Sequence, residues 1–128
     1  MTTNREVAVG LWEALSRRDF EAAASALHDE FIEDWPQSGE RIVGVPNWLR
    51  MVKKHPTFPT IEPTRTIGTG DLWVSECRFD YGDGTPWSIC AVQEFRDGRI
   101  VRITEYFGAP FDAAEWRTGI VEPIPSGD

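Results

Sequence analysis

Apolar positions recur at helical spacing near the start of the chain and at every second position over its latter half, and this change of period sets the expected layout. Val7, Leu11, Ala14 and Leu15 follow Thr3-Asn4-Arg5-Glu6, a string in which the Thr3 hydroxyl and the Glu6 carboxylate each cap the other's backbone N–H. The spacing predicts a helix over 3–17. Residues 16–19 break it, Asp19 can cap a second helix over 19–28, and Phe20, Ala24 and Leu27 form its apolar stripe. Residues 31–35 read as a strand that stops at the turn-rich Pro36-Gln37-Ser38-Gly39-Glu40. Pro46 suits the first turn of a third helix over 45–54, with Trp48, Leu49 and Val52 facing one way and His55-Pro56 ending it. From there the runs 60–68, 72–81, 86–96 and 99–107 are β-rich and divided by turn residues, and Asp97-Gly98 is a two-residue hairpin signal. Two helices, a strand, a short helix and then a run of strands predict an α+β domain, its helices covering one face of a curved, mostly antiparallel sheet.

Composition narrows what such a domain can bind. The 128 residues suit one domain over 1–120, followed by a loosely held tail over 121–128 that holds two prolines. A formal net charge of -8 and a pI near 4.7 argue against nucleic acid and anionic membranes as partners. The basic pairs Arg17-Arg18 and Lys53-Lys54 fall at expected helix ends, where they complement the helix dipole. The first six residues contain no apolar leader core and no run approaches a membrane span, so the expected location is cytoplasmic. Cys77 and Cys90 are too few for a disulfide framework or a metal pattern and are expected as small buried thiols. His28 and His55 have no neighbouring ligand residue, and the glycines form no phosphate cradle. No metal and no cofactor are expected.

Candidate chemistry sits on the strands. In the last run, Val101, Ile103, Glu105 and Phe107 share one side, which places a carboxylate in an apolar file. If that side faces a pocket, burial raises the Glu105 pKa and makes it a proton donor or base. Glu76, Arg78 and Asp80 alternate on one side of the run 72–81. The opposite file, with Trp73, Cys77, Phe79 and Tyr81, is the more core-like, which leaves a solvated or dimer-facing role open for the charged one. Trp35, Trp48 and Trp87 are candidates for a pocket wall as well as for plain core.

Several strings, taken with the layout, carry a resemblance over nearly the whole chain. They are Leu11-Trp12-Glu13-Ala14-Leu15 with Arg18-Asp19-Phe20, then Trp35-Pro36-Gln37-Ser38-Gly39-Glu40, then Phe95-Arg96-Asp97-Gly98-Arg99-Ile100, and Glu105-Tyr106-Phe107. The chain resembles the SnoaL-like branch of the nuclear transport factor two superfamily. The resemblance implies a cone-shaped fold, usually a homodimer through its sheet, with a deep pocket for a small hydrophobic or polyketide-like molecule. It does not imply one chemistry, since relatives include ketosteroid isomerases, polyketide cyclases, dehydratases, epoxide hydrolases and proteins that only bind. Arg78-Phe79-Asp80 with Glu105 is similar to the arginine and paired acids of limonene-epoxide-hydrolase-like members, where one carboxylate activates water, the other protonates the epoxide and the arginine bridges them. Those members also hold the water with a tyrosine and an asparagine on the first strand. Trp35 and Gln37 stand at that spacing here, and an indole cannot accept a hydrogen bond. An isomerase-like site would instead use a tyrosine, and Tyr106 alternates away from Glu105.

The expected site therefore comprises Glu105 and Asp80 as proton-transfer groups with Arg78 as organiser, and Trp35, Gln37, Trp48, Ile103 and Phe107 against the ligand. The corresponding activity is cofactor-independent acid–base catalysis by a hydrolase, lyase or isomerase; the alternative is a non-catalytic ligand-binding or interaction module. Strand register decides the site. Arg96 opposite Arg99 carries the count to Glu105 opposite Cys90. A three-residue turn through Asp83-Gly84-Thr85 puts Arg78 opposite Cys90 and on the Glu105 side, whereas a four-residue turn over 82–85 puts Cys77 there and sends Arg78 and Asp80 away. The resemblance favours the first.

Overall fold

In the computed structural model, which describes residues 2–125, helices α1 (Asn4–Ser16), α2 (Phe20–Ala24) and α3 (Val45–Lys54) lie on one face of a curved six-stranded sheet. The strands are β1 (Leu27–Trp35), β2 (Glu40–Val43), β3 (Thr60–Thr69), β4 (Leu72–Asp80), β5 (Pro86–Arg96) and β6 (Arg99–Gly108), in the order β2-β1-β6-β5-β4-β3. Neighbours run antiparallel except β1 and β6, which are parallel. The layout is the α+β arrangement expected from the change of period. Among the described residues no helix is long and apolar enough to cross a membrane. Residues 121–125 are exposed and carry no regular structure, and the end of the expected tail, 126–128, lies outside the described residues.

Local chemistry explains the helix ends. Thr3 and Glu6 form the expected capping box, with Glu6 N donating to Thr3 Oγ1 at 3.1 Å and Thr3 N to Glu6 Oε1 at 3.0 Å. Asp19 Oδ1 accepts from Ala22 N and starts α2. That helix is shorter than its apolar stripe suggests, because the backbone of Ala26 accepts a bond from Ile100 N at 2.9 Å and Leu27 pairs with Ile100. Pairing with β6 overrides helix propensity there. Strand β2 was not expected from the pattern; Arg41-Ile42-Val43 is too short to show a period, and pairing with β1 alone defines it.

The core fills the concave side. Trp12, Leu11, Phe31, Ile100 and Ile103 are its largest fully buried apolar side chains, and Phe31 meets Trp48 of α3 edge to face at 6.4 Å. On the sheet the inward file of β4 is Ser75, Cys77 and Phe79, that of β5 is Ile89, Ala91, Gln93 and Phe95, and that of β6 includes Ile103 and Glu105. Cys77 is buried as expected; Cys90 is half-buried on the outer side, since it pairs with Glu76 and Tyr106, whose side chains also point outward.

Candidate functional site

Between the helices and the concave sheet lies a cavity of about 440 Å³. Leu11, Trp12 and Leu15 of α1 and Trp48, Met51 and Val52 of α3 form its helical wall. His55, Phe58 and Tyr81 come from the segments after α3 and β4, and Trp87 from β5. The β1–β6 side contributes Glu33, Trp35, Ile103, Glu105 and Phe107, with Gln37 and Glu40 nearer solvent. All five residues expected against a ligand, Trp35, Gln37, Trp48, Ile103 and Phe107, stand on this wall.

The two expected proton-transfer groups and their organiser are not brought together. Glu105 is 7% exposed and faces the cavity, but Arg78 is exposed and Asp80 half-buried on the outer file of β4. One local irregularity produces this: the β4–β5 turn keeps Arg78 on the Cys90 side, as a three-residue turn would, and a bulge moves Glu105 to the other side. The β4–β5 turn takes five residues, 81–85, because Asp80 pairs with Pro86, so Arg78 lies opposite Ser88. A bulge beside Glu94 and Phe95 then shifts β6 by one, so Glu105 lies opposite Ala91 rather than Cys90. Asp80 has a structural task instead: its Oδ1 accepts from the backbone N–H of Gly82 at 2.8 Å and of Gly84 at 3.1 Å. Substitution Asp80→Ala is expected to lower unfolding free energy by about 1 kcal/mol through the lost turn bonds. Urea unfolding measures the loss, and ligand affinity of the folded variant should equal that of the parent.

A carboxylate that the sequence reading passed over takes the place of Asp80. Glu33, 4% exposed, sits on β1 opposite Ile103, one step from Trp35, which stands beside Glu105. The signal was the one that drew attention to Glu105: Phe31 and Trp35 flank Glu33 at alternate positions, so an acid lies in an apolar file. The Trp35 indole donates to Glu33 Oε2 at 2.8 Å and packs edge to face on Phe107 at 5.7 Å. Burial pushes the Glu33 carboxyl up to about 7, against the pull of the Trp35 and Trp48 indole N–H groups. Glu105 is held well above the ordinary carboxylate range, first by burial and second by the charge of Glu33, with the Trp35 indole opposing. The two acids thus share one apolar space with unequal support: the Trp35 and Trp48 indoles favour charge on Glu33, and the Trp35 indole alone does so for Glu105.

Other polar groups on the wall fall into place around this pair. Gln37 bonds through both ends of its amide to the backbone N–H and C=O of Phe107, so it ties the β1–β2 turn to β6. Burial, and then the charge of Glu105, pushes the Tyr81 phenol up to about 12, so it stays an O–H. His55 stacks on Tyr81 at 5.8 Å and is lowered from its ordinary value by burial, which favours neutral imidazole. Among the described residues no group of three or more His, Cys, Asp or Glu side chains could hold a metal ion.

A family model described as a SnoaL-like domain matches residues 8–103. Among solved structures, a nuclear-transport-factor-two-like protein of unknown function from Burkholderia xenovorans is 38% identical, with 95% of each chain covered and a TM-score of 0.85. A protein provisionally named a ketosteroid isomerase, from Kribbella flavida, is 24% identical over 97% of this chain and 91% of its own, with a TM-score of 0.87. An epoxide hydrolase of the limonene-epoxide-hydrolase-like type from M. tuberculosis is 21% identical over 81% of both chains, with a TM-score of 0.69. The last two likenesses are of fold alone. No curated protein sequence matches the chain.

Proposed function

We propose, from the premise that this chain belongs to the SnoaL-like domain family, that it is a cofactor-independent acid–base enzyme acting on a small, largely apolar molecule, with Glu33 as base and Glu105 as proton donor. One observation carries this reading: two buried carboxyls face the same cavity, both raised by burial, with the charge of Glu33 raising Glu105 further and a second indole, that of Trp48, supporting charge on Glu33 alone. Separated pKa values in a paired site mark acid and base roles. Glu33 takes a proton from a carbon next to a carbonyl, and the electron pair moves to the oxygen, which the neutral Glu105 stabilises by hydrogen bonding. The proton held by Glu33 then returns at another carbon, which is isomerisation, or passes to a β-hydroxyl, whose C–O bond breaks to release water as the electron pair returns from the oxygen to form the C=C bond, which is dehydration. Epoxide hydrolysis is disfavoured, because Arg78 and Asp80 lie on the outer side and Trp35 offers only a donor.

The test needs no known substrate. Aryl ketones of a size to fit the cavity are incubated with the protein in heavy water, and exchange at the carbon next to the carbonyl is followed by proton NMR. Exchange that disappears in the double variant Glu33→Gln, Glu105→Gln supports the proposal. Binding without exchange would instead make the domain a ligand-binding module.

The outer sheet face is the surface we assign to a second copy in a two-fold homodimer. Ile67, Leu72 and Tyr106 on that face are 48%, 54% and 45% exposed, with Val74 and Val92 paired between them. Sedimentation equilibrium should give twice the 14.5 kDa chain mass, and the pair Ile67→Lys, Tyr106→Lys should halve it. A monomeric parent protein at micromolar concentration would end this assignment.

A further inference from the structure

Charge on the cavity wall is one-sided. Glu33, Glu105 and, nearer the mouth, Glu40 line it, and among the described residues no lysine or arginine does. The nearest exception touches the wall from outside: the Arg18 guanidinium lies 5.0 Å from the Phe58 ring and donates to the carbonyl oxygens of Phe58 and Pro59, so it is exposed and engaged there. His55 is the remaining basic side chain on the wall, and burial favours its neutral form.

Buried acids in proteins are normally paired with a cation or held by several donors. Elsewhere in this chain the rule is kept: the largely buried Asp34 holds Arg41 at 2.6 Å and Arg102 at 2.7 Å, and even the more exposed Glu76 holds Arg65 at 2.9 Å. Glu33 and Glu105 are more buried than either of those acids and, among the described residues, neither forms a salt bridge. Around them stand the rings of Trp35, Trp48, Tyr81, Trp87 and Phe107. Aromatic faces attract a cation through their quadrupole, most strongly where water is excluded.

Both features ask for the same missing group, and the geometry points to a ligand with a protonated or quaternary ammonium on an apolar frame, its cation seated among these rings against the Glu33–Glu105 pair. The inference rests on the reading of the cavity as a small-molecule site and names the chemical class that the site selects. It also excludes substrates that carry a carboxylate or phosphate into the cavity, since no cation is there to receive one.

The experiment uses three phenylbutyl probes that differ only in the end group: trimethylammonium, acetyl and carboxylate. Binding is measured by calorimetry at about pH 8 to the full chain, to Glu33→Gln and to Glu105→Gln, with near-UV circular dichroism as the check that each variant is folded. The expected order is cation, then ketone, then anion, with the cation on the order of tenfold tighter than the ketone and that preference lost in Glu33→Gln. Ketone binding equal to or tighter than cation binding in the parent protein overturns the inference and leaves the small-molecule reading intact. A preference unchanged in both folded variants overturns it as well. If none of the probes binds, the cavity reading fails and takes the inference with it.

Discussion

Glu33→Gln lowers the rate of carbon-acid exchange by a factor on the order of 10² to 10⁴, the usual worth of one positioned general base. Gln has the same shape and its amide oxygen can still accept the Trp35 indole N–H that now reaches Glu33 at 2.8 Å. Wall and cavity are therefore kept, and proton affinity is what changes. The substitution should act on kcat more than on KM, because a base works in the transition state and an apolar frame is held by the rings in both states. A pH profile separates this from a structural role. The parent rate should rise with pH as the Glu33 carboxyl, pushed up to about 7 by burial, loses its proton, and that limb should be absent in Glu33→Gln. An Asp at this position keeps the charge but is one methylene short of the indole, so partial activity with a retained pH limb is the expected result. A variant Glu33→Gln that exchanges at the parent rate would remove Glu33 from the chemistry.

The contrast between Glu33 and Asp80 shows which parts of this molecule are legible from residue order. Helix starts were, because Thr3, Glu6 and Asp19 form their caps within four residues of chain. The inward side of β6 was also legible, since Ile103, Glu105 and Phe107 alternate without interruption. Facing across strands was not. It depended on a turn that runs from Tyr81 to Thr85, with Gly82 and Gly84 at positive φ of 105° and 75°, and on a bulge beside Phe95. The turn is two residues longer than a three-residue one, which leaves the face unchanged, whereas the bulge adds a single residue that no periodicity announces, and one residue is enough to turn a side chain to the other face. Glu33 escaped for a different reason. Its file lies wholly within the expected strand 31–35, and it is the pairing with β6, which sets Glu33 beside Ile103, that turns this side of β1 to the cavity. The file Phe31-x-Glu33-x-Trp35 is as strong a pattern as the one in β6, and a rule that flags any acid between two large apolar alternates finds both.

Burying this pair makes the fold weaker as pH rises, and neutral replacements should reverse that. A carboxyl with a folded-state pKa above its unfolded value binds more protons in the folded protein between the two values, so stability falls as pH rises through that window. For Glu33 the window runs from 4.5 to about 7. Glu105 acts in the same direction, from 4.5 to a higher limit. Converting the Glu33 shift at 1.36 kcal/mol per unit gives a cost on the order of 3 kcal/mol at about pH 8. Glu33→Gln removes that cost while keeping the indole bond, so its melting temperature should exceed that of the parent by roughly 10 °C at about pH 8 and match it near pH 4. Two other groups move with pH and must be kept apart from this effect. Arg41 and Arg102 hold the Asp34 carboxyl below its ordinary 3.8, so its contribution is present above that value and is lost on further acidification. His55, lowered by burial, makes stability rise with pH up to its ordinary 6.5, opposite in sign to the pair. Both are the same in parent and variant, so the difference between the two melting curves reports Glu33 together with the part of the Glu105 shift that the charge of Glu33 causes. A difference that stays flat from about pH 4 to about pH 8 would mean that Glu33 is charged in the folded protein at acid pH too, and that a partner for its carboxylate exists within the cavity.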